Sequence, residues 1–457
     1  MIPAKQRRRW MLAVDEGTAK ARESAMRRNI TRELLEWKES GMERMPMVLY
    51  GARQVGKTYV LQEFANNYYK NSIYINFERM PFVAAYFDGD LSPDRLVRCL
   101  EEYFSEKIIP EETLLIFDEV QSCERALTSL KYFCEEAPEY PVIAAGSLLG
   151  VAVHREKFSF PVGKVVLKTL YPLSFDEFLE AAGNSHYVSM IQDAYAEKRP
   201  LAPEIHEELL LWYKRYLFIG GMPAAINQYL QSGSLVNVPE IQNMILAAYT
   251  ADMAKYASAG ESTKIRNAYL SMPAQLAREN KKFQYKLIRK GATAGLFGDS
   301  IAWLHMAGLV YECRRVTRGE LPIEVFRDVS AFKLYLSDVG LLSAFANILP
   351  ENIIRDDLSD VYRGALAENY VAQALAANGY HLYYWTSDSP AAEVDFLIQK
   401  QGKVYPVEVK SGKNVHARSL KHYRKIHPEQ QVYRISERNF GMEEGVCSVP
   451  LYAVFCI

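Results

Sequence analysis

The sequence lacks the features that mark membrane, secreted and disulfide-stabilised proteins. Its 457 residues contain no run of about 18 apolar residues, so no membrane-spanning helix is predicted. The six cysteines include no CxxC pair and have no histidines at zinc-ligand spacing, which indicates reduced thiols in a cytoplasmic protein. The basic N-terminal residues are interrupted by Asp15 and Glu16 where an apolar run would be needed, so we expect no secretory signal.

A strong charge of either sign is also lacking, because the net charge is only −1. This balance hides two basic stretches. Residues 278–290 carry six basic groups against one acidic group, and residues 400–438 carry ten against three. Such stretches are compatible with binding to nucleic acid, although a solvated face has the same composition. The stretches do not require a nucleic acid partner, and composition alone favours the solvated face. The partner we expect from the motifs described below is nucleic acid, in particular DNA, and a homo-oligomer or a protein partner is the alternative.

The spacing of apolar residues divides the chain into five segments. Residues 1–25 are poor in large apolar side chains and predict a flexible extension. In residues 26–180, short apolar runs alternate with helical patterns, which predicts a parallel sheet with helices on both faces. The runs are Met47–Tyr50, Ile73–Phe77, Leu114–Phe117, Val142–Ala145 and Val165–Leu170. A helical segment (181–261), helices with short strands (262–345) and a helix with three strands (346–457) follow.

The most specific motif lies between the first predicted strand and the next helix. It matches GxxxxGK[ST] and comprises Gly51, Ala52, Arg53, Gln54, Val55, Gly56, Lys57 and Thr58. In such a loop, backbone N–H groups and the positive end of the helix surround phosphate groups. We expect Lys57 to contact the β- and γ-phosphates and the Thr58 hydroxyl to bind Mg²⁺. The motif therefore predicts a P-loop that binds ATP with Mg²⁺.

A second motif supports hydrolysis of the nucleotide. The apolar run from Leu114 ends in two carboxylates, Asp118 and Glu119. We expect Asp118 to complete the Mg²⁺ site and Glu119 to polarise the attacking water. Ser147 ends the next strand, and its hydroxyl is a candidate contact to the γ-phosphate. Two acidic residues alone could equally mark an ordinary strand that ends in a solvated turn. Their position at the end of a parallel strand, about 60 residues after a P-loop, favours a catalytic role.

Several longer segments carry a resemblance to a known family. LYGARQVGKT, LLIFDEVQ, LKYFCEEAPEYPVIAAGSLLG and LYPLSFDEFL (Leu170–Leu179) resemble the prokaryotic AAA-type ATPases that carry a C-terminal domain long labelled as of unknown function. The resemblance extends over roughly residues 26–457 through GGMPAAI, WLHMAGLVYE and KLYLSDVGLL. It implies a RecA/AAA-like core with an extra strand between the two nucleotide motifs. Many relatives have Gly-Arg where this chain has Gly163-Lys164, so an arginine finger is not carried over; Arg125 and Arg155 are other candidates.

Residues 262–345 have the predicted order helix, helix, helix, hairpin, which is that of a winged helix–turn–helix and is also implied by the resemblance. The candidate recognition helix runs from Thr293 to about Met306. A basic cluster precedes it and could contact DNA phosphates. The cluster comprises Lys281, Lys282, Lys286, Arg289 and Lys290. The same segment could instead pack on the ATPase core as a lid or scaffold, and the sequence favours neither alternative.

The C-terminal segment places charged residues among apolar neighbours. Asp395 and Glu408 lie on predicted strands, and Glu368 lies in the preceding helix. Since carboxylates rarely enter a strand's core face unpaired, we expect the three to share a Mg²⁺ ion. Lys410 lies on the same strand face as Glu408, where it could orient or deprotonate a water nucleophile. The arrangement resembles the PD-(D/E)xK nuclease fold; a hairpin with exposed charges, or a nuclease fold that cuts nothing, are the alternatives.

These observations together predict an α/β protein with a RecA/AAA-like parallel-sheet core, a helical and winged-helix middle, and a restriction-endonuclease-like C-terminal domain. The predicted function is Mg–ATP hydrolysis coupled to a DNA-directed, nuclease-like domain. The alternative is an ATP-dependent regulatory switch whose winged helix and C-terminal domain bind nucleic acid or protein without cleavage.

Overall fold

The computed structural model describes residues 26–147, 160–256, 259–278, 281–387, 392–412, 418–428 and 430–457. The predicted N-terminal extension, residues 1–25, lies outside these ranges. Five parallel strands form the first sheet in the spatial order β2-β3-β4-β1-β5. They are β1 (Met47–Tyr50), β2 (Asn71–Asn76), β3 (Thr113–Asp118), β4 (Val142–Ala145) and β5 (Val166–Thr169). All five predicted strands are confirmed. In the sheet, β4 lies between β1, which leads into the P-loop, and β3, which ends in Asp118, so β4 is the extra strand that the resemblance implies.

Both faces of the central strands β1, β3 and β4 are buried because these strands are apolar at successive positions. In β1, Met47 and Leu49 pack into one core cluster and Val48 into another on the opposite face. Side chains alternate between the faces of a strand, so a strand without polar positions must be covered on both sides. The helices of this part of the chain are Ile30–Glu39, Lys57–Tyr68, Pro81–Ala84, Pro93–Phe104, Glu124–Glu136 and Phe175–Ala181.

The middle of the chain is helical up to a β-hairpin, in the predicted order. The first helices are Ser185–Glu197, Pro203–Ile219, Pro223–Ser232 and Val238–Tyr256. The next are Ala259–Leu270, Met272–Leu276 and Ala294–Met306, and the hairpin consists of β6 (Val310–Val316) and β7 (Arg327–Leu336). Helices Val339–Phe345 and Pro350–Ile354 follow. None of the helices in the described ranges is long and apolar enough to cross a membrane.

The hairpin belongs to a second sheet that contains all the C-terminal strands. This eight-stranded sheet has the order β12-β13-β11-β10-β9-β8-β6-β7. Its other strands are β8 (Tyr383–Thr386), β9 (Glu393–Lys400), β10 (Lys403–Val409), β11 (Val432–Ser436), β12 (Gly441–Glu443) and β13 (Val446–Pro450), and the helices beside them are Asp360–Ala377 and Arg418–Ile426. Because β6 pairs in parallel with β8, the predicted boundary between residues 345 and 346 separates strands that one sheet joins.

A buried carboxylate, that of Asp338, lies where the core, the middle helices and the second sheet meet. One of its oxygens accepts the N–H of Gly221 at 2.6 Å. The other accepts the N–H of Leu341 at 2.8 Å and so caps the helix Val339–Phe345. Burial raises the pKa of Asp338 to about 6, and these backbone hydrogen bonds oppose the increase. We call this contact the Asp338 joint.

The backbone packs tightly around the Asp338 joint. Gly220 has a φ of +75°, and a Cβ atom there would lie only 2.2 Å from Oδ1 of Asp338, so the position requires glycine. The carbonyl of Gly221 accepts the N–H of Leu173 at 2.7 Å. The Tyr216 hydroxyl also donates to the Leu173 carbonyl. The segments PLSF, GGMP and SDVG, which are far apart in the sequence, therefore form one structural contact.

The helix Asp360–Ala377 extends the joint toward the C-terminal sheet. Asn369 donates to the Leu336 carbonyl at 3.0 Å and accepts the Leu336 N–H at 2.7 Å. The side chain of Gln373 accepts the N–H of Val339 at 3.0 Å. Since all four residues are buried, these bonds fix the end of β7 against the helix that carries Glu368.

Replacing Asp338 with asparagine is expected to destabilise the protein, because the amide would direct an NH₂ group at one of the two backbone N–H donors. We expect a loss of roughly 1–3 kcal/mol in the free energy of unfolding. Urea denaturation of Asp338→Asn and of Asp299→Asn measures the effect; the control alters an exposed aspartate of the helix Ala294–Met306. Equal stability of the two variants would show that the joint does not hold these parts together.

Candidate functional site

The predicted P-loop connects β1 to the helix Lys57–Tyr68 at the carboxyl edge of the first sheet. Gly51 has a φ of +146°, and a Cβ atom there would lie 2.3 Å from the Leu170 carbonyl oxygen. The close approach of the chain after β5 therefore requires glycine at the start of the loop. Gly56, with a φ of +96°, precedes the first residue of the helix. The loop thus leads directly into a helix N-terminus, which favours anionic ligands.

Lys57 is buried and its ammonium group is held inside the loop. Nζ donates to the carbonyl oxygens of Gly51 at 2.8 Å and Ala52 at 2.9 Å. Burial lowers the pKa of Lys57 to about 8, while the nearby Glu119 and Asp118 oppose the decrease. A phosphate group in the loop would provide the anionic partner that a desolvated ammonium requires.

Thr58 and Asp118 are adjacent, as the sequence predicts. The Thr58 hydroxyl donates to Oδ2 of Asp118 at 2.6 Å, and the Tyr74 hydroxyl donates to the same oxygen at 2.7 Å. A hydroxyl and a carboxylate in contact are oxygen ligands of the type that Mg²⁺ binds together with phosphate and water. The residues present therefore fit a magnesium ion. Tyr74 was not predicted, since a tyrosine on a strand carries no signal of its own.

Glu119 and Ser147 lie at the ends of β3 and β4, beside the loop. Glu119 is partly exposed, and its Oε2 accepts the Gln121 side-chain amide at 2.5 Å. Ser147 is buried and lines a cavity together with Gly51 and Ala52. Within the described ranges its hydroxyl has no hydrogen-bond partner. An unpaired buried hydroxyl that faces a phosphate-binding loop fits the predicted contact to the nucleotide.

The cavity beside the P-loop is shared between the core and the middle of the chain. The core contributes Tyr50–Ala52, Ser147 and Thr169–Pro172, and the middle contributes His305–Gly308, Val310 and Tyr311. The latter residues include the end of the predicted recognition helix, Ala294–Met306, and the start of β6. This packing agrees with the alternative in which the middle segment acts as a lid or scaffold.

Two further loop residues, Arg53 and Val55, bind other parts of the protein. Arg53 forms an ion pair with Asp252 of the helix Val238–Tyr256, and its carbonyl accepts the Tyr249 hydroxyl at 2.9 Å. The Val55 carbonyl accepts a hydrogen bond from Arg28 at 2.9 Å. Gln54, also predicted to bind the nucleotide, has an exposed side chain and a φ of +65°.

Arg28 links the P-loop to the PLSF segment and was not predicted. Its Nε donates to Oε1 of Glu177 at 3.2 Å, and its Nη2 donates to the Tyr171 carbonyl at 2.6 Å. Glu177 also forms a capping box with Ser174 at the start of the helix Phe175–Ala181. The Ser-x-x-Glu spacing is a sequence signal for this helix start, but it does not reveal the arginine partner.

The described arginine-finger candidates are engaged within the core. Lys164 pairs with Glu135 at 3.0 Å. Arg125 donates to the carbonyls of Phe87 at 2.5 Å and Gly89 at 2.6 Å. Arg155 lies outside the described residues.

The predicted C-terminal residues lie on three neighbouring elements. Glu368 is on the helix Asp360–Ala377, Asp395 on β9, and Glu408 on β10, with Lys410 just after it. Lys410 Nζ lies 2.7 Å from Oε1 of Glu408. Oδ2 of Asp395 accepts the N–H of Val409 at 2.8 Å. Burial raises the pKa of Asp395 well above its usual value, and Glu368 and Glu408 raise it further.

Two lysines that were not predicted to be in this cluster neutralise its carboxylates. Lys281 forms an ion pair with Glu368, and Lys333 pairs with Glu393 and lies 4.0 Å from Oε2 of Glu368. Burial would raise the pKa of Glu368, but the positive charges of Lys281 and Lys333 hold that pKa below its usual value. Lys333 is a charged residue among apolar strand residues, so the reasoning applied to Asp395 would have found it. Lys281 was predicted only as a contact to DNA.

The predicted shared Mg²⁺ site is not formed by these carboxylates. Within the described part of the chain, no group of three or more His, Cys, Asp or Glu residues is arranged to hold a metal ion. The physical reason is that Glu368 is satisfied by Lys281 and by the Tyr335 hydroxyl at 3.1 Å. The charges of Glu368 and Glu408 both raise the pKa of Asp395, but lysine ammonium groups provide the positive charge of the cluster.

Three family models match successive parts of the chain. Residues 43–179 match an AAA domain. Residues 210–352 match a domain of unknown function, DUF8612, and residues 363–454 match another, DUF4143. Together with the loop geometry, the first match assigns the N-terminal part to the AAA-type P-loop ATPase domains. The other two descriptions assign no activity.

The chain matches no protein of curated function, and its similarity to solved structures is low. The Walker-type ATPase PABY2304 of Pyrococcus abyssi is 15% identical, with 71% of this chain and 97% of that chain covered and a TM-score of 0.43. The ORC2 protein of Aeropyrum pernix is 13% identical, with 76% and 93% covered and a TM-score of 0.34. The ORC1 protein of the same organism, in complex with DNA, is 14% identical, with 72% and 93% covered and a TM-score of 0.27. Similarities at this level carry no argument about function.

Tyr74 is expected to position Asp118 for the metal. Tyr74→Phe removes one donor to the carboxylate, so the Mg²⁺ concentration for half-maximal ATP turnover should rise about fivefold, equivalent to roughly 1 kcal/mol for one hydrogen bond. A Mg²⁺ titration of ATPase activity measures this. Tyr68→Phe, which alters an exposed tyrosine of the helix Lys57–Tyr68, is the control. An unchanged Mg²⁺ dependence in Tyr74→Phe would remove Tyr74 from the site.

Proposed function

We propose that this protein hydrolyses Mg–ATP and uses its nucleotide state to control a nuclease-like C-terminal domain that acts on DNA in the cytoplasm. The observation that carries the ATPase part is the geometry of Lys57, Thr58 and Asp118 at one edge of the sheet. Lys57 lies inside the loop, and Thr58 and Asp118 are in direct contact. The match of residues 43–179 to an AAA domain supports the same assignment.

Each residue of this site has a separate role in the proposed reaction. The Lys57 ammonium stabilises negative charge on the β- and γ-phosphates, and the loop's backbone N–H groups orient them. Thr58 and Asp118 hold Mg²⁺, which neutralises charge on the phosphate oxygens when it is bound. The Glu119 carboxylate orients and polarises the attacking water. The Ser147 hydroxyl, which has no hydrogen-bond partner among the described residues, is available to the γ-phosphate, so it would distinguish ATP from ADP.

The proposed control by nucleotide state rests on the shared cavity. Residues 305–311 line it from the middle of the chain, and the ion pair of Arg53 with Asp252 joins the loop to the helix Val238–Tyr256. A ligand in the cavity would contact both parts at once, and its binding energy would then depend on their relative position. The hairpin that begins at Val310 is part of the C-terminal sheet, which provides a continuous connection to that domain.

The proposed DNA partner is supported by exposed basic residues. Lys286, Arg289 and Lys290 are exposed just before the helix Ala294–Met306. The stretch 400–438, which contains Glu408 and its partner Lys410, carries a second excess of basic residues. Basic groups beside a helix of a winged helix–turn–helix, and near a nuclease-like sheet, would contact the phosphate backbone.

One observation favours the regulatory switch as a second candidate. Lys281 and Lys333 neutralise the C-terminal carboxylates, which would allow the domain to bind nucleic acid or protein without cutting. Metal-dependent cleavage of DNA by the full-length chain would favour the nuclease; binding without cleavage under every metal and nucleotide condition would favour the switch.

The ATPase proposal predicts different effects of two substitutions. Lys57→Ala should abolish measurable ATP binding, because it removes charge-assisted contacts to the phosphates. Glu119→Gln should retain ATP but lower turnover by roughly 10²-fold, because only activation of the water is weakened. A fluorescent ATP analogue measures binding, and phosphate release measures turnover.

Lys70→Ala, which alters an exposed lysine after the same helix, is the control and should leave binding and turnover unchanged. Wild-type ATP affinity in Lys57→Ala would contradict the P-loop assignment. Unchanged turnover in Glu119→Gln would show that another group activates the water.

A further inference from the structure

The C-terminal carboxylates are accompanied by three lysines that come from different parts of the chain. Lys281 pairs with Glu368, Lys333 with Glu393, and Lys410 with Glu408. The side chains of Lys281 and Glu368 are only 9% and 10% exposed, so their contact is largely removed from water. A buried carboxylate requires a positive partner, and here that partner is an ammonium group.

The three lysines differ in how firmly they belong to the cluster. Lys333 lies within β7, is 1% exposed and packs over the Tyr384 ring, 4.8 Å from its centre. Lys410 follows the strand that carries Glu408. Lys281, in contrast, lies outside regular secondary structure, between the helix Met272–Leu276 and the next helical turn. Of the three, Lys281 alone neither lies in a strand nor directly follows one, so its withdrawal would not disturb the sheet.

A second observation points to a missing positive ligand. Glu408 is buried, and among the described residues its Oε2 atom has no hydrogen-bond partner. A buried carboxylate oxygen without a partner is costly, and proteins usually satisfy such an atom with a donor or a cation. Asp395 accepts the N–H of Val409, the neighbour of Glu408, at 2.8 Å, and the charges of Glu368 and Glu408 both raise the pKa of Asp395. The unpaired oxygen therefore belongs to the cluster that Lys281 neutralises.

We propose that Lys281 closes a divalent-cation site formed by Glu368, Asp395 and Glu408. The inference rests on the proposed nuclease-like site and makes metal binding there conditional on withdrawal of Lys281. A Mg²⁺ or Mn²⁺ ion requires the Glu368 oxygen that Lys281 occupies, and it repels the ammonium group. Lys281 and the ion therefore exclude each other. This explains why carboxylates with the expected sequence pattern are not arranged to hold a metal.

Mn²⁺ binding to nucleotide-free, full-length protein tests the proposal, with free Mn²⁺ measured by electron paramagnetic resonance. Lys281→Met should bind one Mn²⁺ per chain more than the wild type, with affinity raised at least tenfold over any binding there in the wild type. Lys286→Met, which alters an exposed lysine of the same segment, should match the wild type. Adding Asp395→Asn to Lys281→Met should remove the additional ion.

A stability measurement covers the case in which the variant folds poorly. Without Lys281, the buried Glu368 carboxylate loses a partner, so Lys281→Met should melt at a lower temperature in EDTA. Mn²⁺ should raise that melting temperature by several degrees and leave the wild type unchanged. Lys281→Gln, whose amide can still donate to Glu368, provides a second variant for the same two measurements.

Two results would overturn the proposal. One is that neither Lys281 variant binds more Mn²⁺ than the wild type. The other is that the wild type already binds Mn²⁺ in a manner that depends on Asp395, a result that would support the nuclease-like site while refuting its closure by Lys281. ATP turnover, measured on the same preparations, reports separately on the proposed ATPase.

Discussion

The hydrogen bonds of the buried Asp338 carboxylate fix how the three parts of this protein meet. They connect the end of β7 to Gly221 in the middle helices, and Gly221 in turn binds Leu173 of the core. The glycine at position 220 leaves just enough room for the carboxylate. Because β7 pairs with β6, and residues before and within β6 line the cavity beside the P-loop, the shape of that cavity depends on the same contact.

The two candidate sites use opposite solutions to the problem of buried negative charge. At the P-loop, Asp118 accepts hydrogen bonds from Thr58 and Tyr74, so it remains available to a metal ion. In the C-terminal cluster, Glu368 pairs directly with Lys281, which leaves no equivalent position for a metal. An ammonium group and a divalent cation can both neutralise the same carboxylate oxygens, but with different geometry. Movement of the Lys281 side chain alone would therefore decide which of the two Glu368 binds.

Local patterns were sufficient to predict the first sheet and its site. Apolar runs specify the five strands, and parallel pairing brings Thr58 and Asp118 to one edge, so both the fold and the contact follow from short segments. Contacts between distant segments were not predictable in this way. The pairing of β6 with β8, and of Lys281 with Glu368 across 87 residues, depends on how whole elements pack. Lys281 was predicted to be a surface residue that contacts DNA, because no residue near it in the sequence indicates that Glu368 is its partner.

The proposed nucleotide site combines the AAA core with the middle of the chain, since both line the cavity beside the P-loop. Hydrogen–deuterium exchange with and without a non-hydrolysable ATP analogue and Mg²⁺ tests it most directly. We expect the ligand to slow exchange both in residues 51–58 and in residues 305–311, because residues of both segments line the same cavity. Slower exchange in residues 51–58 alone, with residues 305–311 unchanged, would contradict it.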